Sequence, residues 1–427
     1  MKLFYPALLI VLILHSCFSQ KSKNELIAIR QPGEFEQQAA IWLIWPSTDY
    51  KQGESIEKVL LSIIEAIGGE EKVIVTCKDS ALLQKATATL LQRFGALKNI
   101  TLLMLPSNDI WARDMGAIFV ETNKKTMAVA DFNFNSWGYT DTLAADTKTE
   151  EMYDENVARE YKLPVFSSAM ISEGGSREVN GKGTMMTTES VETGRNPGMS
   201  KAAMEAEYKR LLGVKKVIWL KQGLVEDDHT FLGPIKTADG SKAYTVITTN
   251  GHTDEIARFI NDSTILFAEI DTASGKDPIA MENHRRVEEN FKILSKATDQ
   301  DGKPFTIVRM PLAATLFSTL SPGDNVYEFI KTLDYKDGSN FPAGQPVKVI
   351  AALSYLNFII ANKVIIGQTC WRPGMPNEWK IEDEKAAQVL QTVFPGRKVI
   401  MIDALAVNLG GGGIHCITMQ QPASPPN

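Results

Sequence analysis

Four short stretches of this chain combine residue types that do chemistry. They are Trp111-Ala112-Arg113-Asp114-Met115-Gly116; Glu173-Gly174-Gly175, followed by Val179-Asn180-Gly181-Lys182-Gly183; Asn250-Gly251-His252-Thr253-Asp254-Glu255; and Gly410-Gly411-Gly412-Gly413-Ile414-His415-Cys416-Ile417-Thr418. The glycine run is the strongest local signal. Four consecutive glycines cost backbone entropy and give a core nothing, so they belong where the chain turns sharply or comes close to a ligand. Cys416 follows them by three residues. Taken alone, a cysteine between Ile414 and Ile417 reads as a small buried hydrophobe. The cysteine inventory shifts that reading. The chain has Cys17, Cys77, Cys370 and Cys416 and no C-x-x-C pair, and if Cys17 leaves with a leader, an odd number remains and one thiol stays unpaired within a monomer.

His252 and Asp254 supply a partner for that thiol. On a strand, residues i and i+2 share a face, so the two are expected to point into one space with Thr253 turned away. A carboxylate beside an imidazole raises its pKa and makes a proton shuttle. Arg113 and Asp114, adjacent on a strand, are expected to face opposite ways, leaving Asp114 free to bind a cation. A thiol, an imidazole and several carboxylates suit two chemistries. One is a metal held by His252, Asp254, His415 and Cys416; it is disfavoured because His415 and Cys416, as neighbours on an expected strand, would diverge. The other is attack on a planar cationic carbon. Carboxylates can grip a guanidinium by paired hydrogen bonds, a thiolate can add to its carbon, and an acid can protonate the departing nitrogen.

The elements that must position these clusters form a loose repeat of strand, helix and strand. One unit has strands over 72–76 and 100–104 around a helix over 81–94. A second has strands over 183–187 and 216–220 around a helix over 200–212, with Ser200 as N-cap and Gly213 as C-terminal glycine. A third has strands over 264–267 and 305–308 around a helix over 281–297, and a fourth has strands over 363–367 and 398–402 around a helix over 382–394. The first strands are apolar with few charges, as strands buried on both faces are. Further short strands are expected over 116–121, 245–249 and 414–419, and a hairpin turn over 179–183. Mixed strands with one helix per unit predict a ring of similar α/β units in place of a doubly wound sheet; dinucleotide and phosphate-loop glycine motifs are missing.

The bulk numbers bound the alternatives. The 427 residues are 44% hydrophobic, enough for a large core, and 45 basic residues against 51 acidic ones give a net charge of −6. No basic excess or cluster advertises nucleic-acid binding. Met1-Lys2, an apolar run over 3–14 and small residues after it describe an export signal over 1–19. The run is too short to span a bilayer, which takes ~20 apolar residues. Cleavage after Ser19 gives a periplasmic protein. Leu14-His15-Ser16-Cys17 resembles a lipobox, which would instead make Cys17 a lipid anchor. One domain is expected over 24–420, with a proline-rich disordered tail over 421–427.

In their order and detail these clusters are similar to those of the agmatine deiminase and bacterial-type peptidyl-arginine deiminase family. The resemblance also takes in Glu34-Phe35-Glu36-Gln37, Ile41-Trp42-Leu43-Ile44-Trp45-Pro46, Asp131-Phe132-Asn133-Phe134-Asn135 with Trp137-Gly138, and Ser354-Tyr355-Leu356-Asn357. It implies a five-bladed α/β propeller, a pentein, with pseudo-fivefold symmetry and a central active site. It implies Cys416 as nucleophile through a covalent thiouronium, His252 as acid then base, Asp114 and Asp254 gripping the guanidinium, Glu173 orienting His252 or touching substrate, and Asn357 beside the thiol. Trp111 and Trp137 belong with the substrate-binding set. It implies no cofactor and no metal, a small guanidinium substrate as partner, and a monomer or homodimer.

The stretch Asn135-Ser136-Trp137-Gly138 resembles the agmatine-type branch, and 131–148 contains no arginine to catch an arginine carboxylate. Agmatine to N-carbamoylputrescine is therefore the expected reaction, with peptidyl or free arginine as the alternative. An extra hairpin-like segment over 223–250, including Glu226-Asp227-Asp228, departs from the family pattern and keeps that alternative open. Two readings outside hydrolysis also stand: an exported guanidine-binding protein without catalysis, and an amidinotransferase.

Overall fold

The computed structural model describes residues 25–270 and 277–425. The expected export signal and Cys17 lie outside them. Among the described residues, five small sheets share one plan. Each has a parallel pair of strands joined by helix, and the pairs are Lys72–Cys77 with Ile100–Met104, Met127–Asn133 with Val165–Ile171, Thr184–Thr188 with Lys216–Leu220, Thr264–Glu269 with Thr306–Pro311, and Val364–Thr369 with Lys398–Asp403. Four are the units expected from sequence. The Met127–Asn133 unit is the one sequence reading missed, because its crossover holds two short helices, Ala145–Glu151 and Tyr153–Tyr161, after a long loop, so no helical period stands out.

Local chemistry explains the helix ends. Asp79 accepts the Leu82 N–H at 2.8 Å to start Ser80–Phe94, which Gly95 ends at φ 72°. Ser200 accepts the Ala203 N–H at 3.2 Å to start Lys201–Leu212, and Gly213 ends it. The leading strands are buried through Val73, Ile74 and Val75, through Ile265, Leu266 and Phe267, and through Ile365 and Ile366, and helices covering such strands bury both their faces.

Each of the five sheets also carries a short antiparallel strand. Four are Ile118–Thr122, Arg177–Val179, Ala257–Phe259 and Ile359–Ile360, each paired to the first strand of its unit. In the remaining sheet the C-terminal strand Thr418–Pro422 pairs with Gln38–Ile44, which runs parallel to Lys72–Cys77. The second strand of the described chain and its last thus meet in one sheet. This corrects the expected tail: Gln421 and Pro422 belong to that strand, and the Ala423 N–H reaches the Gln37 carbonyl at 2.9 Å. A sixth sheet combines the hairpin Ile235–Lys236 and Lys242–Thr245 with Val347–Ile350 and Phe317–Leu320. Among the described residues no helix is long and apolar enough to cross a membrane.

The five antiparallel strands position the chemistry. Trp111 and Asp114 precede Ile118–Thr122, Glu173 precedes Arg177–Val179, His252 and Asp254 precede Ala257–Phe259, Asn357 precedes Ile359–Ile360, and Cys416 precedes Thr418–Pro422. One turn from the same place in each sheet contributes to one site.

Candidate active site

Gly175 lies where the carboxylates and the imidazole meet. A Cβ there would sit 2.6 Å from His252 Nδ1, 2.9 Å from Asp114 Oδ1 and 3.2 Å from Asp254 Oδ2. Only hydrogen fits among these three groups. Asp114 stands in the helical turn Ala112–Met115; its Oδ1 accepts the Gly175 N–H at 2.9 Å and its Oδ2 accepts the Trp137 Nε1–H at 2.8 Å. Arg113 leaves the other way, donating to Gln420 Oε1 at 2.6 Å and approaching Glu34 Oε2 at 3.7 Å. The two side chains diverge as expected, but on a helical turn and not on a strand.

His252 and Asp254 also depart from the expected geometry. Thr253–Glu255 is a single 3-10 turn, so strand alternation does not align them. They share a space because other sheets surround it. His252 Nε2 is 3.3 Å from Glu173 Oε2, and its Nδ1 is 3.8 Å from Asp114 Oδ1. Asp254 Oδ2 accepts from His415 Nδ1 at 2.7 Å and from Asn357 Nδ2 at 3.2 Å. The Cys416 thiol is 3.8 Å from that same oxygen and receives the Asn357 Nδ2–H at 3.1 Å. The expected strand over 414–419 begins only at Thr418, and 414–417 form a turn. His415 and Cys416 therefore do not diverge to opposite faces; both reach Asp254. The expected strand over 245–249 likewise stops at Thr245.

The glycine run is a set of close approaches. A Cβ on Gly412 would lie 2.9 Å from Cys416 Sγ and 2.8 Å from the Trp111 ring, and one on Gly413 would lie 2.3 Å from Asn357 Oδ1. Trp111 stacks on Tyr50 with ring centroids 5.7 Å apart and meets Trp137 edge-on at 6.2 Å. Ser136 and Trp137 hold φ of 49° and 54°, a costly backbone for residues with side chains, and this places the indole on Asp114.

Two cavities meet at Cys416. One is lined by Trp111, Asp114, Trp137 and Ile247, the other by Leu224, Glu226, Asp227, His252, Glu255 and Leu353, and Thr249 and Gly411 border both. No Arg or Lys lines either cavity among the described residues.

Electrostatics divides these groups. Burial alone would lower the His252 pKa, but Asp114, Glu173 and Asp254 raise it to about 9. Burial pushes the Cys416 thiol well above its ordinary value, and Asp254, Glu255 and Asp114 push the same way. Burial likewise raises Asp114 against the pull of His252, and raises Glu255 well above its usual range with help from Asp254 and Asp227. Glu173 resists burial because Arg195 and His252 hold it at about 2. Asp254 is lowered too, against burial, chiefly by its hydrogen bond to His415. Both shifts favour the protonated forms near neutral pH, an imidazolium at His252 and a thiol at Cys416.

Four further residues build the site and carried no assigned role from sequence. Arg195 donates to Glu173 Oε1 at 2.6 Å and to the Thr249 carbonyl at 2.6 Å. Asp227 accepts the N–H groups of Thr249, Gly251 and His252 at 2.9, 2.9 and 3.1 Å and so fixes the His252 loop. Glu255 accepts the Asn357 Nδ2–H at 2.8 Å. Glu34 lies 2.8 Å from His415 Nε2. Asp227, Glu255 and Glu34 sat inside stretches already noticed, whereas Arg195 gave no local signal.

Among the described residues two triads have ligand atoms close enough for a cation: Glu34, Glu178 and His415, and Asp254, Glu255 and Cys416. Internal donors already occupy both. Arg258 reaches Glu34 and Glu178 at 2.7 Å each, and the Asn357 amide reaches all three groups of the second. Cys77, Cys370 and Cys416 are all unpaired and buried, so Cys77 and Cys370 form no disulfide.

The model of the Porphyromonas-type peptidyl-arginine deiminase family matches residues 30–232 and 236–422. The chain belongs to this family. The break at 233–235 falls inside the 223–250 segment that sequence reading singled out. An agmatine deiminase of Medicago truncatula is 32% identical over 407 residues, covering 92% of this chain and 96% of its own. One from Pseudomonas aeruginosa is 30% identical over 404 residues, covering 92% and 95%. A solved structure of Enterococcus faecalis agmatine deiminase superposes with a TM-score of 0.72 at 25% identity, covering 93% of this chain and 96% of that one.

Proposed function

We propose that this protein hydrolyses a guanidinium substrate through Cys416, with agmatine as the substrate and N-carbamoylputrescine and ammonia as products. The observation that carries the reading is a pair of orphaned polar atoms. Among the described residues Asp254 Oδ1 and His252 Nδ1 are buried without a hydrogen-bond partner, two of several such atoms, and both groups stand around Cys416. One is an acceptor and the other belongs to a proton donor, beside a thiol. A guanidinium offers N–H donors to Asp254 Oδ1 and an attackable carbon to Cys416. The absence of Arg and Lys from the lining of the two cavities supports a tail without a carboxylate.

The chemistry follows from the charges. Burial, with the carboxyl groups of Asp254, Glu255 and Asp114, keeps the thiol protonated when no cation is bound. A bound guanidinium offsets them, lowers the thiol pKa and lets its proton leave to solvent. The thiolate then adds to the guanidinium carbon. The imidazolium of His252 gives its proton to the departing nitrogen, which leaves as ammonia and yields a thiouronium on Cys416. Neutral His252 next takes a proton from water as the oxygen adds. Collapse expels the thiolate, which takes up the proton of the added hydroxyl, and leaves the ureido product. Asp114 and Asp254 hold the cation, Glu173 and Arg195 hold His252, Asn357 donates to the sulfur, and Trp111 and Trp137 wall the entrance. No cofactor takes part.

The five like sheets, each giving one turn to the site, support a five-bladed α/β propeller with the site at its axis, in one domain over 24–420. We keep export through residues 1–19 within the proposal.

The test is ureido-product formation from agmatine, free arginine and a peptide ending in arginine, with Cys416→Ala as control. Agmatine turnover lost in the variant is expected. Turnover of the peptide alone would move the substrate to protein arginine, and product appearing only with an added amine would indicate amidino transfer.

A further inference from the structure

His415 adjoins the nucleophile in sequence, yet the chemistry above does not use it. Its ring lies between two buried carboxylates, Nδ1 at 2.7 Å from Asp254 Oδ2 and Nε2 at 2.8 Å from Glu34 Oε2. The ring is 1% exposed. A neutral imidazole carries one N–H and serves one such contact as donor; both are served only when both nitrogens are protonated or one carboxyl is. Both carboxyls are held below their usual range despite burial, Glu34 by Arg258, His415 and Arg113, and Asp254 by His415. The chain of contacts continues away from the site. Glu34 Oε2 accepts from Arg258 Nη2 at 2.7 Å, Arg258 Nε reaches Glu178 Oε1 at 2.7 Å, and Arg113 approaches Glu34 at 3.7 Å. On its other side Asp254 faces His252, Glu255, Cys416 and Asn357.

We propose that His415 is a positioning residue: held by Glu34, it ties down Asp254 Oδ2 so that Asp254 Oδ1 is aimed at the substrate guanidinium. The inference rests on the deiminase reading for the identity of that cation. It explains the orphaned Oδ1, because a carboxylate free to rotate would not present one buried oxygen while binding with the other. It also explains why the chain turns at 414–417 in place of continuing as strand. The turn sends His415 and Cys416 to the same carboxylate.

Two measurements test it. In the full chain carrying Cys416→Ser, which stops turnover, agmatine binding is followed by calorimetry. Adding His415→Gln is expected to weaken it by about tenfold or more, the scale of losing one buried charged hydrogen bond. Glu34→Gln is expected to weaken it in the same direction, with the double variant no worse than His415→Gln alone. In the active chain the loss should fall on KM, with kcat changed by less than about threefold, because a grip present in ground and transition states alike acts on binding. Equal affinity with and without His415→Gln overturns the proposal, as does a loss confined to kcat. The second measurement needs no substrate. Nitrogen-15 and proton resonances of the His415 ring should show Nδ1–H hydrogen-bonded to a carboxylate in the native chain, with that signal shifted in Glu34→Gln. A native ring whose Nδ1–H shows no such hydrogen bond overturns the proposal. Failure of the Cys416→Ser chain to bind agmatine, arginine or guanidinium would instead overturn the deiminase reading, with the ring resonances still judging His415.

Discussion

Two buried acidic regions lie side by side in this molecule, and burial treats them differently. Around Cys416, Glu173 and Asp254 remain charged because Arg195, His252 and His415 face them. Beyond Asp114, the carboxyls of Asp109, Asp131, Glu150 and Asp154 have no such partners among the described residues. Their contacts are hydroxyls, backbone N–H groups and one another: Tyr50 donates to Asp109 at 2.5 Å, and the Asn108 N–H reaches Glu150 at 2.6 Å. Burial raises all four, Glu150 to about 7 and Asp154 well above its usual range beside Asp131. In these two regions the carboxyls facing cations are held low and those without them are pushed up, because burial favours the neutral form unless an opposing charge offsets it. Asp114 stands between the two regimes, raised by burial and pulled back by His252. It is the carboxyl that a cationic substrate would complete.

The sharpest way to break this comparison is to remove what only one region has. Cys416→Ala should lower turnover of agmatine by roughly 10⁴-fold or more, as loss of a nucleophile does, while the melting temperature moves by a few degrees at most. Matched amide substitutions come next. Asp114→Asn should lower kcat/KM by about a hundredfold, because it removes a charge the substrate needs. Glu150→Gln should cost less than about threefold, since burial raises that carboxyl to about 7 and leaves it about half protonated near neutral pH. Equal losses in steady-state kinetics would erase the distinction.

The smallest effects are in stability against pH. Glu150 has a folded pKa raised from 4.5 to about 7, so the folded state holds its proton more tightly. Its contribution is complete below 4.5 and lost as pH rises to 7. The slope of melting temperature over that window should flatten in Glu150→Gln. His252, raised from 6.5 to about 9, contributes fully below 6.5 and loses that contribution as pH rises through 9. A protein whose melting temperature is flat from pH 6.5 to 9, with His252→Ala equally flat, would contradict the imidazolium assignment.

Much of the framework was legible because it is local. Ser200 and Gly213 mark helix ends through their own hydrogen-bonding and backbone preferences, and the strands opening at Lys72, Thr264 and Val364 announce themselves by apolar runs. The Met127–Asn133 unit escaped because its helices are short. For the candidate site, residue types were legible and geometry was not. Strand alternation was the wrong reason to place His252 and Asp254 together, since a 3-10 turn carries them. Arg113 and Asp114 diverge on a helical turn much as they would on a strand, so there the expected outcome survived a wrong element.

By itself the sequence determined which groups are present: one cysteine after a glycine run, a histidine and an aspartate two residues apart, acids flanked by glycine, and strand–helix–strand units to carry them. Only the tertiary structure decided their partners. Glu34 and His415 are 381 residues apart and meet at 2.8 Å; Asn357 and Asp254 are 103 apart; Arg195 fixes a glutamate 22 residues away. Such contacts leave no periodic or local trace in the chain, because they arise from the packing of separate sheets. The protonation states follow the same rule. A side chain's type sets its ordinary pKa, but burial and the charges brought to it by distant strands decide which acid stays ionised and which thiol keeps its proton.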